Sequence, residues 1–194
     1  MFKELIFTKN PQSSGLPFIG GEPYIPENTP WPTDKFGNPM LHLARLPATF
    51  ITEHIKGITI NPKLLISIFT PYSESDQYID TALNEGGKVI AYIPCKAYSS
   101  TFNPPLDSHL ISVTDNPQSD GPDNGIAKIG GIPSWLQEKA ETNLKFILQI
   151  NNSRLNKSTP KHKGILVGGI GYLLLKNEIT EQDQAAGSFI IQTT

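Results

Sequence analysis

The sequence predicts a single α+β domain that is predominantly β, with short helices and an internal repeat. Three observations lead to this fold class. The chain of 194 residues contains 17 prolines and 16 glycines, and such frequent turn residues favour short strands over long helices. Short aliphatic runs lie between these turns. The phrase Ile-Gly-Gly-x-Pro occurs twice, beginning at Ile19 and at Ile129.

Each copy of this phrase predicts a sharp chain reversal, because glycine tolerates positive φ and proline fixes φ. Tyr24 follows the first proline and Trp135 follows the second within two positions. The order of turn, strand, strand and glycine-led strand recurs after both copies. We therefore predict two related β-rich halves, at about residues 16–95 and 126–194, joined by a connector at 96–125. The alternative is the turn–strand periodicity that any β-rich chain has.

The elements of the first half follow from apolar patterning. Strands are expected at residues 5–8, 40–46, 64–69 and 88–93. A short helix is expected over 47–56, with Pro47 in its first turn and Gly57 as its stop. The polar stretch 73–85 is expected to hold a helical turn.

The second half is expected to follow the same order. Strands are predicted at residues 109–114, inside the connector, and then at 144–150, 168–175 and 187–192. Residues 151–163 are interpreted as a polar, basic loop, and 178–186 as a polar segment.

Composition narrows the class of function. The 16 basic residues nearly balance the 18 acidic ones, and there is no basic block of the kind that tracks nucleic acid. Cys95 is the only cysteine, which fits a reducing compartment. There is no signal-peptide pattern and no apolar run long enough to span a membrane. We therefore expect a cytoplasmic protein that binds neither nucleic acid nor membrane.

A set of longer stretches carries a family resemblance. They read Ile19-Gly-Gly-Glu-Pro-Tyr-Ile-Pro, Trp31-Pro-Thr-Asp-Lys-Phe-Gly-Asn-Pro-Met-Leu-His-Leu-Ala, Lys128-Ile-Gly-Gly-Ile-Pro-Ser-Trp-Leu-Gln, Leu148-Gln-Ile and Gly169-Ile-Gly-Tyr. From about residue 16 onward the chain resembles the YwqG-like family, a bacterial domain family of largely unknown function. One departure is Ala44-Arg45, where the family usually has Ala-Gln; the second half keeps the glutamine as Gln149.

The resemblance implies a β-rich fold with short helices, and it implies no reaction. Similar domains are associated with immunity proteins encoded beside secreted bacterial toxins. The first hypothesis is therefore a non-enzymatic protein that binds and neutralises a cognate toxin in the cytoplasm. The alternative is a small-molecule-binding or hydrolytic protein with a site between the halves, around Trp31 and Trp135. No cofactor is expected under either hypothesis.

The connector supplies the predicted partner-binding residues, Asp115, Asp120 and Asp123. Toxins that act on nucleic acids have basic clefts, which attract a protruding acidic loop. Two other interpretations of these aspartates exist, a solvated linker and a calcium loop. Their spacing misses the EF-hand pattern and the closing glutamate is absent, so no metal site is predicted there.

The remaining chemistry-bearing residues do not form a recognisable constellation. The histidines share no short spacing: His42, His54, His109 and His162. Cys95, at a strand end, is interpreted as a structural thiol, and no catalytic residue is predicted. The glycines at 168–171 lack both the dinucleotide-binding and the P-loop patterns.

Overall fold

The structure is a computed structural model that describes residues 2–10, 13, 15–95, 105–139 and 142–194. The strands in this part of the chain are β1 (Phe2–Lys9), β2 (Phe18–Ile19), β3 (Leu41–Pro47), β4 (Thr59–Ile60), β5 (Leu65–Thr70), β6 (Gly87–Tyr92), β7 (His109–Asn116), β8 (Lys128–Ile129), β9 (Lys145–Asn151), β10 (Ile170–Leu175), β11 (Glu178–Ile179) and β12 (Asp183–Gln192). The helices are α1 (Ala48–His54), α2 (Ile79–Asn84, preceded by a 3-10 turn at Asp76–Tyr78) and α3 (Asn152–Ser158). None of these helices is long and apolar enough to cross a membrane.

Ten of the strands close an antiparallel barrel. Its order is β1-β7-β2-β3-β5-β6-β12-β10-β9-β8, and β8 pairs with β1 to complete the ring. Strands β4 and β11 form a separate, parallel pair. Closure leaves the barrel without an unpaired sheet edge. The predominantly β fold class with short helices is confirmed.

Two series of elements run through the barrel in the same order. The first is β1, β2, β3, α1, β5 and β6, and the second is β7, β8, β9, α3, β10 and β12. The first five members of each series have matching lengths of eight, two, seven, seven and six residues. Strand β1 pairs with β8 of the second series, and β7 pairs with β2 of the first. The two series therefore interlock, and the predicted connector at 96–125 contains a full barrel strand, β7.

The register around the two Gly-Gly turns is the same in both series. The corresponding pairs are Phe18 with Arg45, Ile19 with Ala44, Lys128 with Gln149 and Ile129 with Leu148. Strands β3 and β9 each have a bulge one residue before Ala44 and Leu148, at Leu43 and at Ile147. A bulge bends the strand and increases its local twist, so both strands curve at the same place relative to their turn.

Alternate residues of the barrel strands belong to two different apolar clusters. In β5, Ile66 and Ile68 join a large cluster drawn from strands around the whole barrel. Leu65 and Phe69 point to the opposite face and join a smaller cluster, which Trp31 covers. Because both faces are buried, apolar residues occupy both sides of β5, and Ser67 and Thr70 are its two polar residues.

Strand β1 begins at Phe2 and β10 at Ile170, and not at residues 5 and 168 as predicted. Two further segments differ more strongly from their prediction. Residues 152–158 are helical and not a loop: the Asn151 side chain accepts a hydrogen bond from the Arg154 N–H at 3.1 Å, and Leu155 anchors the helix in the core. Strand β12 begins at Asp183 and not at Gly187, because Asp183 pairs with Ala91 across a register shift.

Candidate functional site

The two Gly-Gly turns adopt the predicted backbone conformation. Gly20 and Gly21 have φ of 64° and 68°, and Gly130 and Gly131 have φ of 67° and 75°. A β-carbon on Gly131 would also lie 2.1 Å from the Asp120 carboxylate. Positive φ and close packing therefore account for the glycines.

Gln149 fastens the second turn to the barrel. Its side-chain oxygen accepts from the Ser134 N–H at 2.9 Å, and its amide nitrogen donates to the carbonyls of Asn124 and Ile126 at 3.2 and 2.8 Å. Gln149 is fully buried, and a buried amide needs such partners. The side chain thereby holds the segments before and after the turn.

Arg45 occupies the corresponding position of the first series. Its buried guanidinium lies 4.3 Å from the centre of the Tyr24 ring and 5.3 Å from that of Phe18. The terminal nitrogens donate to the carbonyls of Glu22 and Ser13. Burial lowers the pKa of Arg45, yet an arginine stays charged at neutral pH. A buried cation thus holds the first turn where an amide holds the second.

A buried polar network lies beneath the first turn. His42 Nδ1 donates to the Gly21 carbonyl at 3.0 Å, and the Ser67 hydroxyl lies 3.4 Å from His42 Nε2 and 2.7 Å from the Tyr92 hydroxyl. Tyr92 also donates to the Pro23 carbonyl. Burial is the main reason why the pKa of His42 falls to about 4. The imidazole is therefore neutral at physiological pH, and the network anchors the turn.

Of the three predicted partner-binding aspartates, Asp120 is the one directed inward. Its carboxylate lies 2.6 Å from the ammonium of Lys128, whose side chain is 0% exposed. It also accepts the N–H groups of Ile132 at 2.7 Å and Gly121 at 3.0 Å. Burial would raise the pKa of Asp120, but the bond from Lys128 and these backbone donors lower it. Asp120 therefore braces the second turn.

Asp115 and Asp123 are the exposed members of that set. Asp115 lies on β7, and its carboxylate is 2.7 Å from the ammonium of Lys3 in a solvent-exposed pair. Asp123 is exposed in the turn that precedes β8. The three aspartates thus do not share one environment.

Trp31 and Trp135 each cover their own part of the barrel. The Trp31 ring packs edge-on against Phe69 at 5.1 Å, and its indole N–H donates to the Met40 carbonyl at 2.8 Å. The Trp135 ring lies 4.5 Å from Tyr172. Neither tryptophan lines the cavity described next.

A cavity of about 560 Å³ opens where the loop before β3, the segment after β5 and the loop after α3 meet. An isolated bridge between Thr33 and Pro39 shapes the first loop. The 3-10 turn and α2 form another wall. The residues that line the cavity are Asp34, Phe36, Asn38, Pro39, Pro71, Tyr72, Ser73, Glu74, Gln77, Tyr78, Thr81 and His162.

Two tyrosines connect the walls of this cavity. The Tyr72 hydroxyl donates to the Lys163 carbonyl at 3.4 Å, and the Tyr78 hydroxyl donates to the Gly164 carbonyl at 2.7 Å. The two phenol rings lie 5.0 Å apart, and the His162 ring lies 5.8 Å from that of Tyr72. Burial raises the pKa of Tyr78 to about 12 and also raises that of Tyr72, so both phenols are neutral.

The rim of the cavity combines a fixed carboxylate with an exposed aromatic ring. Asp34 accepts the N–H groups of Phe36 at 2.9 Å and of Asn38 at 2.8 Å, which closes the loop at its tip. Phe36 is 70% exposed. The Lys35 ammonium sits 5.0 Å from the centre of the Phe36 ring and pairs with Glu85 at 2.6 Å. This geometry presents Phe36 at the mouth of the cavity.

The other side chains that could bind a metal ion or act as nucleophiles do not cluster in the described part of the chain. Among the described residues, no three histidine, cysteine or acidic side chains lie close enough to hold a metal ion. Cys95 follows β6, and its thiol donates to the Ile25 carbonyl at 3.2 Å. Of the four histidines, His162 alone lines the cavity.

Sequence reasoning did not identify Tyr72, Tyr78 or His162 as site residues. Tyr72 lies beside the polar stretch 73–85 and Tyr78 lies within it. Aromatic residues in a polar segment are the sequence feature that could have indicated a binding site. His162 is far away in the chain, and only tertiary structure brings it to them.

No known family model matches the chain, and no curated protein matches it either. The resemblance to the YwqG-like family therefore stays a prediction that rests on the sequence motifs quoted above.

Proposed function

We propose that this protein binds a small molecule, and that the cavity beneath the loop at residues 33–39 is its binding site. The observation that carries the proposal is the cavity itself. Its volume of about 560 Å³ lies within the range of ligand pockets. Aromatic rings and a few polar groups converge on it, which is the usual composition of such a site.

Internal duplication supports this location. We propose that the two interlocking series descend from one repeated unit, because their order, their strand lengths and the register at their turns agree. Of the described lining residues, His162 belongs to the second series and the others belong to the first. The cavity thus lies between the two series. The small-molecule hypothesis places a site between the halves around Trp31 and Trp135, neither of which lines this cavity.

Tryptophan substitutions at two serines test the proposed binding site. Ser73 lines the cavity and Ser75 does not, yet both lie in the same loop. We expect the bulky side chain of Ser73→Trp to abolish the binding of fragments identified by ligand-observed NMR, whereas Ser75→Trp preserves it. A fragment screen with no hit sensitive to Ser73→Trp would contradict the proposal.

Neutralisation of a protein toxin is the second candidate function. Supporting it are the family resemblance and the exposure of Asp115 and Asp123 on the connector. The test is the double variant Asp115→Ser/Asp123→Ser, which leaves the structural Asp120 in place. Slower association with a cognate toxin, most visible at low salt, is expected. Unchanged association would remove these residues from the interface.

A further inference from the structure

We propose that the cavity selects a small organic cation, such as an alkylammonium or a quaternary ammonium compound. This inference depends on the proposed function, because it assigns a ligand class to the same site. Two carboxylates, those of Asp34 and Glu74, line the cavity, and its described lining contains no lysine or arginine. The Lys35 ammonium beside Phe36 at the rim is paired with Glu85. A concave surface with a net negative charge concentrates cations.

Asp34 provides a fixed negative charge at the rim. Burial would raise its pKa, but hydrogen bonds from Asn38 and from the Phe36 N–H lower it. The carboxylate is therefore ionised at neutral pH, and the loop holds it in one position. Glu74 stands in the segment after β5 and is exposed to solvent, so it can move toward a ligand.

The aromatic rings provide the second element of cation recognition. Tyr72 and Tyr78 are neutral phenols whose rings meet at 58°, and the face of an aromatic ring attracts a cation. Phe36 already has the Lys35 ammonium 5.0 Å from its ring centre. Carboxylates and aromatic faces thus occur together, as in sites that bind alkylated ammonium groups.

Size selects an organic cation over a bare metal ion. A cavity of about 560 Å³ far exceeds the space that one ion and its ligands need. Moreover, no three acidic, histidine or cysteine side chains converge among the described residues. A ligand with an apolar body and one positive charge uses both the rings and the carboxylates.

Choline and its neutral isostere, in which carbon replaces the quaternary nitrogen, provide the test. The two have the same shape and differ in charge. Isothermal titration should show that choline binds at least about tenfold more tightly. Glu74→Gln should weaken choline binding by about fivefold and leave the isostere unaffected. Asp76→Asn is the matched control, since Asp76 lies in the same segment but does not line the cavity.

The outcomes separate this inference from the proposed function. Equal affinity for choline and the isostere, with both lost in Ser73→Trp, would overturn the cation class and leave the binding site standing. No measurable choline binding to the wild type would also overturn the cation class. The fragment screen with Ser73→Trp and Ser75→Trp tests separately whether the cavity binds any small molecule.

Discussion

At the scale of single residues, Gly131 carries two constraints at once. Its φ of 75° is unfavourable for any side chain, and a β-carbon would lie 2.1 Å from Asp120 Oδ2. We expect Gly131→Val to lower the free energy of unfolding by at least about 2 kcal/mol, since backbone strain alone costs about 1–3 kcal/mol. Urea denaturation followed by circular dichroism measures it.

Gly121 is the matched control for that substitution. It lies ten positions earlier, in the connector, its φ is not positive, and a β-carbon there would meet nothing within 4 Å. Gly121→Val should therefore unfold close to the wild-type midpoint. Equal stability of the two variants would show that the second turn does not depend on its glycine.

The pair between Asp120 and Lys128 should produce acid sensitivity. Because the folded pKa of Asp120 lies below its unfolded value of about 3.9, the pair stabilises the protein above that value. The contribution is lost as the pH falls through the folded pKa. Asp120→Asn leaves a buried ammonium without its carboxylate, and we expect a loss of about 3 kcal/mol at neutral pH.

Asp115→Asn is the control for this prediction, since the exposed pair with Lys3 contributes little. The measurement is the unfolding midpoint in urea between neutral pH and pH values below about 3.9. The wild type should lose stability toward acid more steeply than Asp120→Asn does. Parallel pH profiles for wild type and Asp120→Asn would contradict the assignment.

At the scale of elements, α3 depends on its N-cap. The Asn151 side chain accepts from the Arg154 N–H, and the helix has Leu155 as its buried residue. Asn151→Ala should cost about 1 kcal/mol of unfolding free energy, and Asn151→Asp, which keeps an acceptor oxygen, should restore most of it. If the alanine and aspartate variants had the same unfolding midpoint, the cap would not stabilise this helix.

Helix α3 illustrates why the sequence predicts some elements and not others. Strands β3, β5 and β10 are buried on both faces and rich in leucine and isoleucine, and such segments between turn residues are recognisable in sequence. Helix α3 has one buried apolar residue, so no helical stripe exists to indicate it. Strands β2 and β8 have two residues each and end at the first residue of the Ile-Gly-Gly-x-Pro phrase, so they are too short for a strand pattern to show in the sequence.

Strand register, and not similarity of sequence, defines the equivalent positions of the proposed repeat. Similarity of the leucine runs pairs Leu43 with Leu148. The register instead places Ala44 and Leu148 at the same position relative to their turns. The same register gives Arg45 and Gln149 equivalent positions, and each side chain donates hydrogen bonds to backbone carbonyls beside its turn.

At the scale of the whole molecule, neither barrel closure nor the cavity follows from local patterns. Closure depends on β1 pairing with both β7 and β8, and strands so distant in sequence leave no short-range signal. The cavity depends on Tyr78 reaching the carbonyl of Gly164. Sequence patterns predict individual strands and turns of this molecule, whereas the cavity arises from their assembly.

The interlocking of the two series predicts that they unfold together. Because β1 completes the sheet of the second series and β7 that of the first, neither half retains a closed barrel when the other melts. The two tryptophans report on the halves separately: Trp31 packs against Phe69 in the first series and Trp135 against Tyr172 in the second. Each of Trp135→Phe and Trp31→Phe therefore leaves one reporter.

In both single-tryptophan variants we expect the fluorescence and far-ultraviolet circular dichroism curves in urea to coincide, as a two-state transition requires. The comparison is made within each variant, because loss of the hydrogen bond from Trp31 to Met40 costs about 0.5–1.5 kcal/mol by itself. A fluorescence midpoint that precedes the circular dichroism midpoint in either variant would mean that one half melts first. The pairing of β1 with β8 and of β7 with β2 would then be too weak to make the barrel one cooperative unit.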